Sequence, residues 1–331
     1  MNILSRIYGN LSLLERKFFD TFNFLKYKTK AKVVSIGNLS MGGTGKTPVL
    51  FEIIKDLKAY NPDLKLMVLT RGYRCPWERS FYELIGTGEH PFELTDEALM
   101  LNKRFPDIPI MVGKNRHHAA IIGEMRYKPD LILLDDGFQY RRLYKNTNII
   151  LWDSMSTPKE AELIPIGRLR EPVERLKQAN LILLTRCESA SKEQINYWEK
   201  WLEKKAPNIP VIKMQTLCEG LFKYDGKASH VDNDTNFLAF SAIGRPESFY
   251  KQLEQCGYKI QIKKEFRDHH RFTNIELEKL ISEAKKNNLS LVCTEKDAIK
   301  IKSEVAVKMD LNILRIKTVP FSEESFIRYI L

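Results

Sequence analysis

Eight consecutive residues in the first fifth of the chain have the composition of a phosphate-binding loop. A lysine and a hydroxyl follow three closely spaced glycines, in the order Ser40-Met41-Gly42-Gly43-Thr44-Gly45-Lys46-Thr47. Glycines let the backbone curl so that several N–H groups converge on one phosphate, while the lysine supplies a cation and the hydroxyl holds Mg²⁺. The run predicts a nucleoside triphosphate site that all eight residues contact. Lys46 would also act in catalysis, and Thr47 would also bind the metal ion.

The sequence on either side of this loop agrees with that prediction. The short apolar run Val33–Ile36 precedes it, and Pro48 with the helical pattern Val49–Tyr60 comes after it, so a helix N-terminus would add its positive dipole end. Ser40 stands where the pattern G-x-x-x-x-G-K-[ST] has its first glycine, and we expect its backbone to avoid conformations that only glycine reaches easily. The alternative is a glycine-rich turn that carries Lys-Thr by chance, which the order strand, loop and helix argues against.

Two adjacent carboxylates are the expected partner of the loop. Asp135 and Asp136 come directly after the apolar run Leu131–Leu134, which indicates a buried strand. In nucleotide-binding sheets, an Asp at the carboxyl end of a neighbouring strand completes the shell of the magnesium ion. Two such residues alone are usually a solvated turn, but after a buried strand in this chain they indicate a metal site. The sequence does not say which of the two contacts the ion directly.

Short apolar runs that alternate with helical patterns would position these residues. Runs of this length, bounded by polar residues or glycine, are typical of parallel strands buried on both faces. They are Val33–Ile36, Leu66–Leu69, Ile108–Val112, Leu131–Leu134, Asn148–Leu151 and Leu181–Leu184, with Phe237–Phe240 and Leu291–Thr294 later in the chain. We predict an α/β protein with a P-loop, a doubly wound, mostly parallel sheet and a second, smaller α/β lobe.

The length of the chain predicts more than one domain. At 331 residues it exceeds the size at which one hydrophobic core usually stops growing. Turn signals between Cys218 and Asn236 interrupt the alternation of strands and helices. We predict a P-loop domain over 33–217, a linker over 218–236 and a second lobe over 237–331. The last helix is a candidate to return to the first domain.

Residues 1–32 have a pattern of their own. Apolar side chains recur at helical spacing from Ile3 to Leu25, and four lysines come next between 26 and 32. The pattern predicts an amphipathic helix with a basic collar. Such a helix packs on its own domain or docks on a membrane surface, and the two interpretations are compatible.

Composition narrows the class of protein. The formal charge of +11 and the pI near 9.2 favour an anionic partner, either nucleic acid, phospholipid head groups or a phosphorylated substrate. The longest uncharged stretch has 13 residues, whereas a membrane-spanning helix needs about 20 apolar ones. Charges also interrupt the first apolar pattern, so we expect no secretory signal and a cytoplasmic location. The five cysteines lack metal-ligand spacing, which predicts scattered, buried free thiols.

Eight segments in order resemble the tetraacyldisaccharide 4'-kinase family, and together they are more specific than any one motif. Those in the first domain are Ser35–Leu39, Thr70–Tyr73, Asp96–Glu97, Asp135–Gln139 with Arg141–Leu143, and Gly167–Pro172. Those in the second are Phe240–Pro246, Asp268–His270 and Thr294–Asp297. The resemblance implies a kinase that transfers the γ-phosphoryl group of ATP, with Mg²⁺, to the 4'-hydroxyl of tetraacyldisaccharide 1-phosphate in lipid A synthesis.

The resemblance also implies where the protein works. It predicts two α/β lobes with catalysis in the cleft between them, acting peripherally on the cytoplasmic face of the inner membrane. The partners would be the lipid A disaccharide precursor and the anionic membrane surface, which gives the positive charge a purpose. We expect a monomer that does not bind nucleic acid.

Site residues beyond the loop are implied by the same resemblance. Asp96 is the candidate base on the acceptor hydroxyl, and His269 is the partner that orients it; the alternatives are a helix cap and a surface or packing histidine. Further candidates for substrate or supporting contacts are Asn38, Arg71, Gln139 and Glu171, which lie in the matching segments. Arg116 lies outside those segments and is a candidate because its cation could face an anionic substrate.

Departures from the family pattern concern the acceptor side. Tyr140 stands where the family usually has His, Thr95 where a Gly is common, and a Gly-Asn-Gly segment is missing around Thr157–Glu162.

The competing hypothesis is a switch-type P-loop ATPase of the partition or site-selection class, which binds membrane or DNA. That class has a signature lysine before the paired glycines, where this chain has Met41. A nucleic-acid interpretation is weaker because no basic stripe interleaved with aromatics is present.

Overall fold

The computed structural model describes residues 26–72, 81–86, 94–232, 234–322 and 325–331. The chain divides into two compact units, of which unit 1 comprises Met1–Thr216 with Thr318–Leu331 and unit 2 comprises Leu217–Lys317. The last fourteen residues therefore group with unit 1, whereas the sequence-based limit of the second lobe ran to 331. The prediction of an α/β fold with a mostly parallel, doubly wound sheet is confirmed.

The strands of a mostly parallel sheet form the centre of unit 1. Within the described ranges they are β1 Lys32–Asn38, β2 Leu66–Thr70, β3 Tyr82–Leu84, β4 Ile110–Val112, β5 Leu131–Asp135, β6 Thr147–Asp153, β7 Leu181–Thr185 and β8 Val211–Phe222. Their order is β8-β7-β6-β1-β5-β2-β4-β3, and among these strands only β3 and β4 pair antiparallel. The apolar runs expected to be strands lie in these elements because both faces of the sheet are covered.

Four longer helices accompany these strands in the described part of unit 1. They are α1 Lys46–Tyr60, α2 Asp96–Arg104, α3 Arg116–Tyr127 and α4 Lys192–Lys205. The apolar side of α1 is buried, with Val49, Ile53 and Leu57 fully inaccessible, and it joins the core cluster that contains β1 and β5 residues. A capping box at Ser191 and Gln194 begins α4.

Strand register places the two sequence motifs side by side. Central strand β1 pairs with β5, and Ile36 lies opposite Asp135. The phosphate-binding loop leaves the carboxyl end of β1, and the aspartate pair leaves the carboxyl end of β5. Strand order reverses at β1, with later strands added on both sides, which is where doubly wound sheets bind ligands.

Unit 2 repeats the α/β pattern on a smaller scale. Its described strands are β9 Asn236–Ser241, β10 Lys259–Glu265, β11 Ser290–Thr294 and β12 Asn312–Pro320, in the order β10-β9-β11-β12 and all parallel. Its helices are α5 Pro246–Gln255, α6 Asn274–Lys286, α7 Glu295–Ala298 and α8 Ser303–Lys308. The chain enters unit 2 within β8 and leaves it within β12. Residues 218–222, at the start of the predicted linker, belong to β8.

The amphipathic helix predicted for the first residues lies almost entirely outside the described residues, which begin at Lys26. The next residues of the chain pack on unit 1: the Tyr27 hydroxyl donates to Glu124 on α3 at 3.0 Å, and the Lys28 ammonium lies over the Tyr144 ring. No helix in the described ranges is long and apolar enough to cross a membrane.

The prediction of free thiols is wrong for two cysteines. Cys218 on β8 and Cys256 at the end of α5 are joined by a disulfide, with their Cα atoms 6.2 Å apart. They lie 38 residues apart in sequence, so only the packing of α5 reveals their proximity. Cys187 and Cys293 are free and buried, as expected.

An aromatic cluster fixes α4 against the β6–β7 side of the sheet. Trp198 is 1% exposed, packs on Trp152 and Trp201, and donates from its ring nitrogen to the Ser156 carbonyl at 3.1 Å. The same core cluster contains Leu39 and Phe138, which border the phosphate-binding loop and the aspartate pair. This cluster therefore supports the ends of the strands that carry the site.

Replacement of Trp198 by Ala should lower the free energy of unfolding by about 3–5 kcal/mol, because it leaves a cavity and an unpaired carbonyl. Urea denaturation of wild type and variant measures the difference. The control is Tyr60→Ala, at a 68% exposed position, which should change stability by about 0.5 kcal/mol or less. Equal effects of the two changes would contradict the assignment of Trp198 to the core.

Candidate active site

The phosphate-binding loop connects β1 to α1 through two left-handed glycines. Gly42 has φ 105° and Gly45, which caps α1, has φ 81°. Ser40 does not adopt a left-handed backbone, as expected, and it pairs with Leu169 in an isolated bridge. The Met41 N–H donates to the Arg168 carbonyl at 2.8 Å. The loop is thus already curled for phosphate, with Lys46 and Thr47 as the first residues of α1.

Lys46 reaches from α1 to the residues at the strand ends. Its ammonium lies 3.5 Å from an oxygen of Asp136 and 3.3 Å from the Asn38 side-chain carbonyl. Asn38 is fully buried, and its amide group is in turn within 3.4 Å of the Ser40 hydroxyl. Asn38 therefore connects the beginning of the loop to the lysine at its end.

Asp135 ends β5 and is 8% exposed. The Thr70 hydroxyl donates to it at 3.0 Å. Burial, reinforced by the charge of Asp136, raises the pKa of Asp135 to about 6, despite the opposing effects of Lys46 and Thr70. A buried carboxylate with a raised pKa is a position where a divalent cation would favour ionisation.

Asp136 is in the opposite electrostatic situation. Both of its oxygens accept from the Arg170 guanidinium, at 3.1 and 3.2 Å, and Lys46 lies beside it. Although burial acts in the other direction, Lys46 and Arg170 hold the pKa of Asp136 well below its usual range. Its backbone is left-handed, with φ 45°, an uncommon conformation for a residue other than glycine and one found at functional sites.

Two cations, the buried Arg116 and the half-buried Lys145, hold the backbone of the aspartate segment. Arg116 donates to the carbonyls of Asp135 and Asp136 at 3.2 and 2.9 Å. Lys145 donates to those of the next two residues, Gly137 and Phe138, at 3.2 and 2.8 Å. Burial, together with the charge of Arg175, lowers the pKa of Lys145 to about 7, and burial lowers that of Arg116 to about 10. Four successive carbonyls are thereby fixed.

A second layer packs behind Phe138. Glu171 is 3% exposed and accepts from Arg175 at 2.9 Å and from Arg141 at 3.3 Å. The Arg175 guanidinium lies 4.9 Å from the centre of the Phe138 ring. The observed contacts of Glu171 are thus with two arginines, and they support the aspartate segment from outside.

Other sequence candidates lie in the same unit. Gln139 donates from its side-chain amide to the Asn38 carbonyl at 2.7 Å. Tyr140, where the family usually has His, packs its ring 4.3 Å from the Arg116 guanidinium, and its hydroxyl accepts from the His117 N–H at 3.1 Å. Arg71 is half-buried at the end of β2, and its charge acts on Arg116. These residues surround the aspartate segment.

Asp96 is the first residue of α2 and is half-buried. The preceding Thr95 caps the helix, because its hydroxyl accepts from the Ala98 N–H at 3.4 Å. The negative charge of the next residue, Glu97, contributes to the raised pKa of Asp135, so the first turn of α2 acts electrostatically on the aspartate pair. Asp96 therefore shares unit 1 with the phosphate-binding loop.

His269 belongs to unit 2, in the segment after β10. It has a left-handed backbone with φ 61°, and its ring is 60% exposed and 3.9 Å from Asp268. His270 has a structural environment: it contacts both oxygens of Glu276 at 3.1 Å and stacks on Phe266. The two histidines thus have different environments, and the pairing of Asp96 with His269 across the units stays a prediction.

The donor set fits a magnesium ion shared with a nucleotide. Thr47 and Asp135 supply a hydroxyl and a carboxylate oxygen at the ends of adjacent elements. The described residues contain no group of three or more metal-ligating side chains. Mg²⁺ is usually held by one or two carboxylates together with phosphate oxygens rather than in an all-protein cage.

Several residues near the two loops were not predicted from the sequence. Arg170 lies inside the quoted segment Gly167–Pro172, and its proximity to a conspicuous Glu-Pro pair was the available signal. Lys145 and Arg186 gave no signal in the sequence, because they are single cations in a chain with 53 Lys and Arg residues. Only the fold brings them to the two loops.

Known proteins resemble this chain over most of its length. The family model described as LpxK, Tetraacyldisaccharide-1-P 4'-kinase, matches residues 1–331. The Tetraacyldisaccharide 4'-kinase of Halothermothrix orenii is 29% identical over 331 residues, covering 95% of this chain and 85% of the relative. That of Bdellovibrio bacteriovorus is 31% identical over 305 residues, covering 90% and 88%.

A solved structure agrees over nearly the whole chain. The crystal structure of LpxK from Aquifex aeolicus, described as a complex with ATP, superimposes with a TM-score of 0.78 at 25% identity. The match covers 99% of this chain and 98% of the other. Family model, curated relatives and solved structure all give one assignment, and this chain belongs to the tetraacyldisaccharide-1-P 4'-kinase family.

Proposed function

We propose that this protein transfers the γ-phosphoryl group of ATP to the 4'-hydroxyl of tetraacyldisaccharide 1-phosphate, the lipid A precursor. The observation that carries the proposal is the contact of Lys46 with Asp136, beside the buried Asp135, at the meeting of β1 and β5. This is the arrangement of a phosphate-binding lysine and a metal-binding strand end in P-loop enzymes. The rival switch-type ATPase is not favoured, because the family match covers the whole chain and Met41 replaces the signature lysine.

Positive charge around the site suits a polyphosphate. Four cations lie at the two loops: Lys46 and Arg170 contact the Asp136 carboxylate, and Arg116 and Lys145 donate to backbone carbonyls of the aspartate segment. Phosphoryl transfer depends on positioning and on neutralising charge that spreads over the phosphoryl oxygens. The loop N–H groups and Lys46 would hold the β- and γ-phosphates, and the fixed cations would prevent their movement as charge develops.

Mg²⁺ would be held by the Thr47 hydroxyl and by Asp135, with Asp136 nearby, directly or through water. When bound, the ion would supply positive charge against the negative charge that develops on the transferred phosphoryl group. Of the two carboxylates, Asp135 is the one whose ionisation is disfavoured by its surroundings, whereas Lys46 and Arg170 already compensate Asp136. This contrast favours Asp135 as the direct ligand.

The acceptor would be activated by Asp96, with His269 as the group that orients it and tunes its basicity. The protein would act as a monomer on the cytoplasmic face of the inner membrane, without binding nucleic acid. The basic segment at residues 26–32 and the net charge of +11 suit an anionic surface and a substrate that already bears phosphate.

Replacement of Lys46 by Ala should lower kcat by roughly 10²–10³, because a charge contact with the transferred phosphoryl group is lost. Transfer of ³²P from γ-labelled ATP to tetraacyldisaccharide 1-phosphate, with and without the lipid, measures it. Lys55→Ala, at an exposed position on the same helix, is the matched control and should retain activity. A wild-type protein that hydrolyses ATP rapidly without lipid, stimulated by DNA, would support the switch-type ATPase instead.

Mg²⁺ binding should weaken as the pH falls through about 6, since the raised pKa of Asp135 lets a proton compete with the ion. The half-saturating Mg²⁺ concentration, read from the rise in Tm with ADP present, should increase about tenfold per pH unit below that value. Asp135→Asn should bind Mg²⁺ weakly and lose this dependence, while titration of the nucleotide itself remains as an internal control. Identical pH dependence in both proteins would exclude Asp135 as the ligand.

Asp96→Asn and His269→Ala should each lower kcat by roughly 10²–10⁴ with little change in KM for ATP, because both would serve proton transfer from the acceptor. Residues that act as a unit are not additive, so the double variant should be scarcely slower than the slower single one. His270→Ala, which breaks the contact with Glu276, is the control that should lower stability more than kcat. Losses that multiply would mean that Asp96 and His269 act independently.

A further inference from the structure

A third strand end also contacts the phosphate-binding loop. The Arg186 guanidinium donates to the Gly43 carbonyl. The Thr185 hydroxyl shares its one proton between the Thr44 carbonyl at 3.0 Å and the Trp152 carbonyl at 3.2 Å, with the loop carbonyl the nearer of the two. Both donors lie at the carboxyl end of β7, two strands away from β1 in the sheet. They belong neither to the loop nor to the aspartate segment, and the proposed reaction gives them no role.

Packing covers little of the loop apart from Thr44, which is 4% exposed. Met41, Gly42 and Gly43 are exposed, and a Cβ atom added to Gly43 or Gly45 would meet no atom within 4 Å. Glycine loses more conformational entropy than other residues when it is ordered. The curled state of such a loop must therefore be stabilised by polar contacts to its backbone.

Arg186 is itself fixed from a neighbouring strand. Its guanidinium donates to Asp153 at 2.9 Å, and Asp153, at the end of β6, is 6% exposed. Asp153 lies opposite Thr185 in the β6–β7 pair. Arg186 also has a left-handed backbone, φ 61°, which costs energy for a residue other than glycine and persists only where the surroundings enforce it.

We propose that Thr185, Arg186 and Asp153 form a brace that positions the loop for the phosphates of ATP. In a planar trans peptide the C=O and the following N–H point in opposite directions. Donors that hold the carbonyls of Gly43 and Thr44 therefore turn the N–H groups of Thr44 and Gly45 the other way. These are the two amides that precede Lys46. The inference rests on the proposed function only in that the loop binds nucleotide phosphate.

Titration calorimetry with MgATP and MgADP tests the brace. Arg186→Ala should weaken both Kd values about tenfold, equivalent to about 1.4 kcal/mol. Arg186→Lys should recover part of the loss, since an ammonium can still donate to a carbonyl. The matched control is Arg126→Ala, which breaks an arginine–carboxylate pair with Glu83 far from the loop in sequence and should leave nucleotide affinity unchanged. KM for the lipid should not move in any of these variants.

Thr185 and Asp153 supply independent readouts if the arginine variant folds poorly. Thr185→Val should weaken nucleotide binding while Thr185→Ser preserves it, because only the hydroxyl contacts the loop. Asp153→Asn combined with Arg186→Ala should be no worse than Arg186→Ala alone.

Nucleotide affinities within twofold of wild type in Arg186→Ala and Thr185→Val would overturn the brace. So would a fall in kcat with unchanged Kd. A wild-type protein that binds ATP but does not phosphorylate the lipid would overturn the proposed function and leave the brace to be judged on affinity. A wild-type protein that binds no nucleotide would overturn both.

Discussion

Two adjacent carboxylates at the end of a central buried strand impose the main electrostatic constraint on unit 1. Burying charge is unfavourable unless it is paired, and two like charges side by side increase that cost. The two side chains have different surroundings. Lys46 and Arg170 compensate the negative charge of Asp136, whereas burial leaves Asp135 with a pKa of about 6. One carboxylate is thus paired with the loop lysine, and the other keeps a raised pKa.

The same structural solution recurs on both loops. Cationic side chains donate to backbone carbonyls, Arg116 and Lys145 in the aspartate segment and Arg186 in the phosphate-binding loop. Such donors fix the backbone without occupying the space that a ligand needs. Their burial has a thermodynamic cost, seen in the lowered pKa values of Lys145 and Arg116. In many enzymes, preorganised polar groups make the largest single contribution to catalysis, and that contribution offsets the cost of holding the backbone in place.

Contiguous features could be predicted from the sequence, and distant contacts could not. The order strand, loop, helix around Lys46 and the apolar run before Asp135 indicated the fold class and the nucleotide side of the site, because each signal is local. β10, whose residues alternate between exposed and half-buried, gave no apolar run, and β8 was partly taken for a linker. The Cys218–Cys256 bond and the role of Lys145 depend on chain segments brought together only by folding.

Unit 2 interrupts unit 1, and this has a consequence for biosynthesis. Phe326 and Ile330 are fully buried within the core cluster that contains α1 and β1, and Lys32 donates to the Leu331 carbonyl. During translation, the smaller unit is complete once Lys317 has emerged from the ribosome. The larger unit begins earlier but cannot close its core until the chain has been made as far as Ile330. Nascent unit 1 therefore keeps apolar surface exposed while the inserted unit is made, and exposed apolar surface favours aggregation.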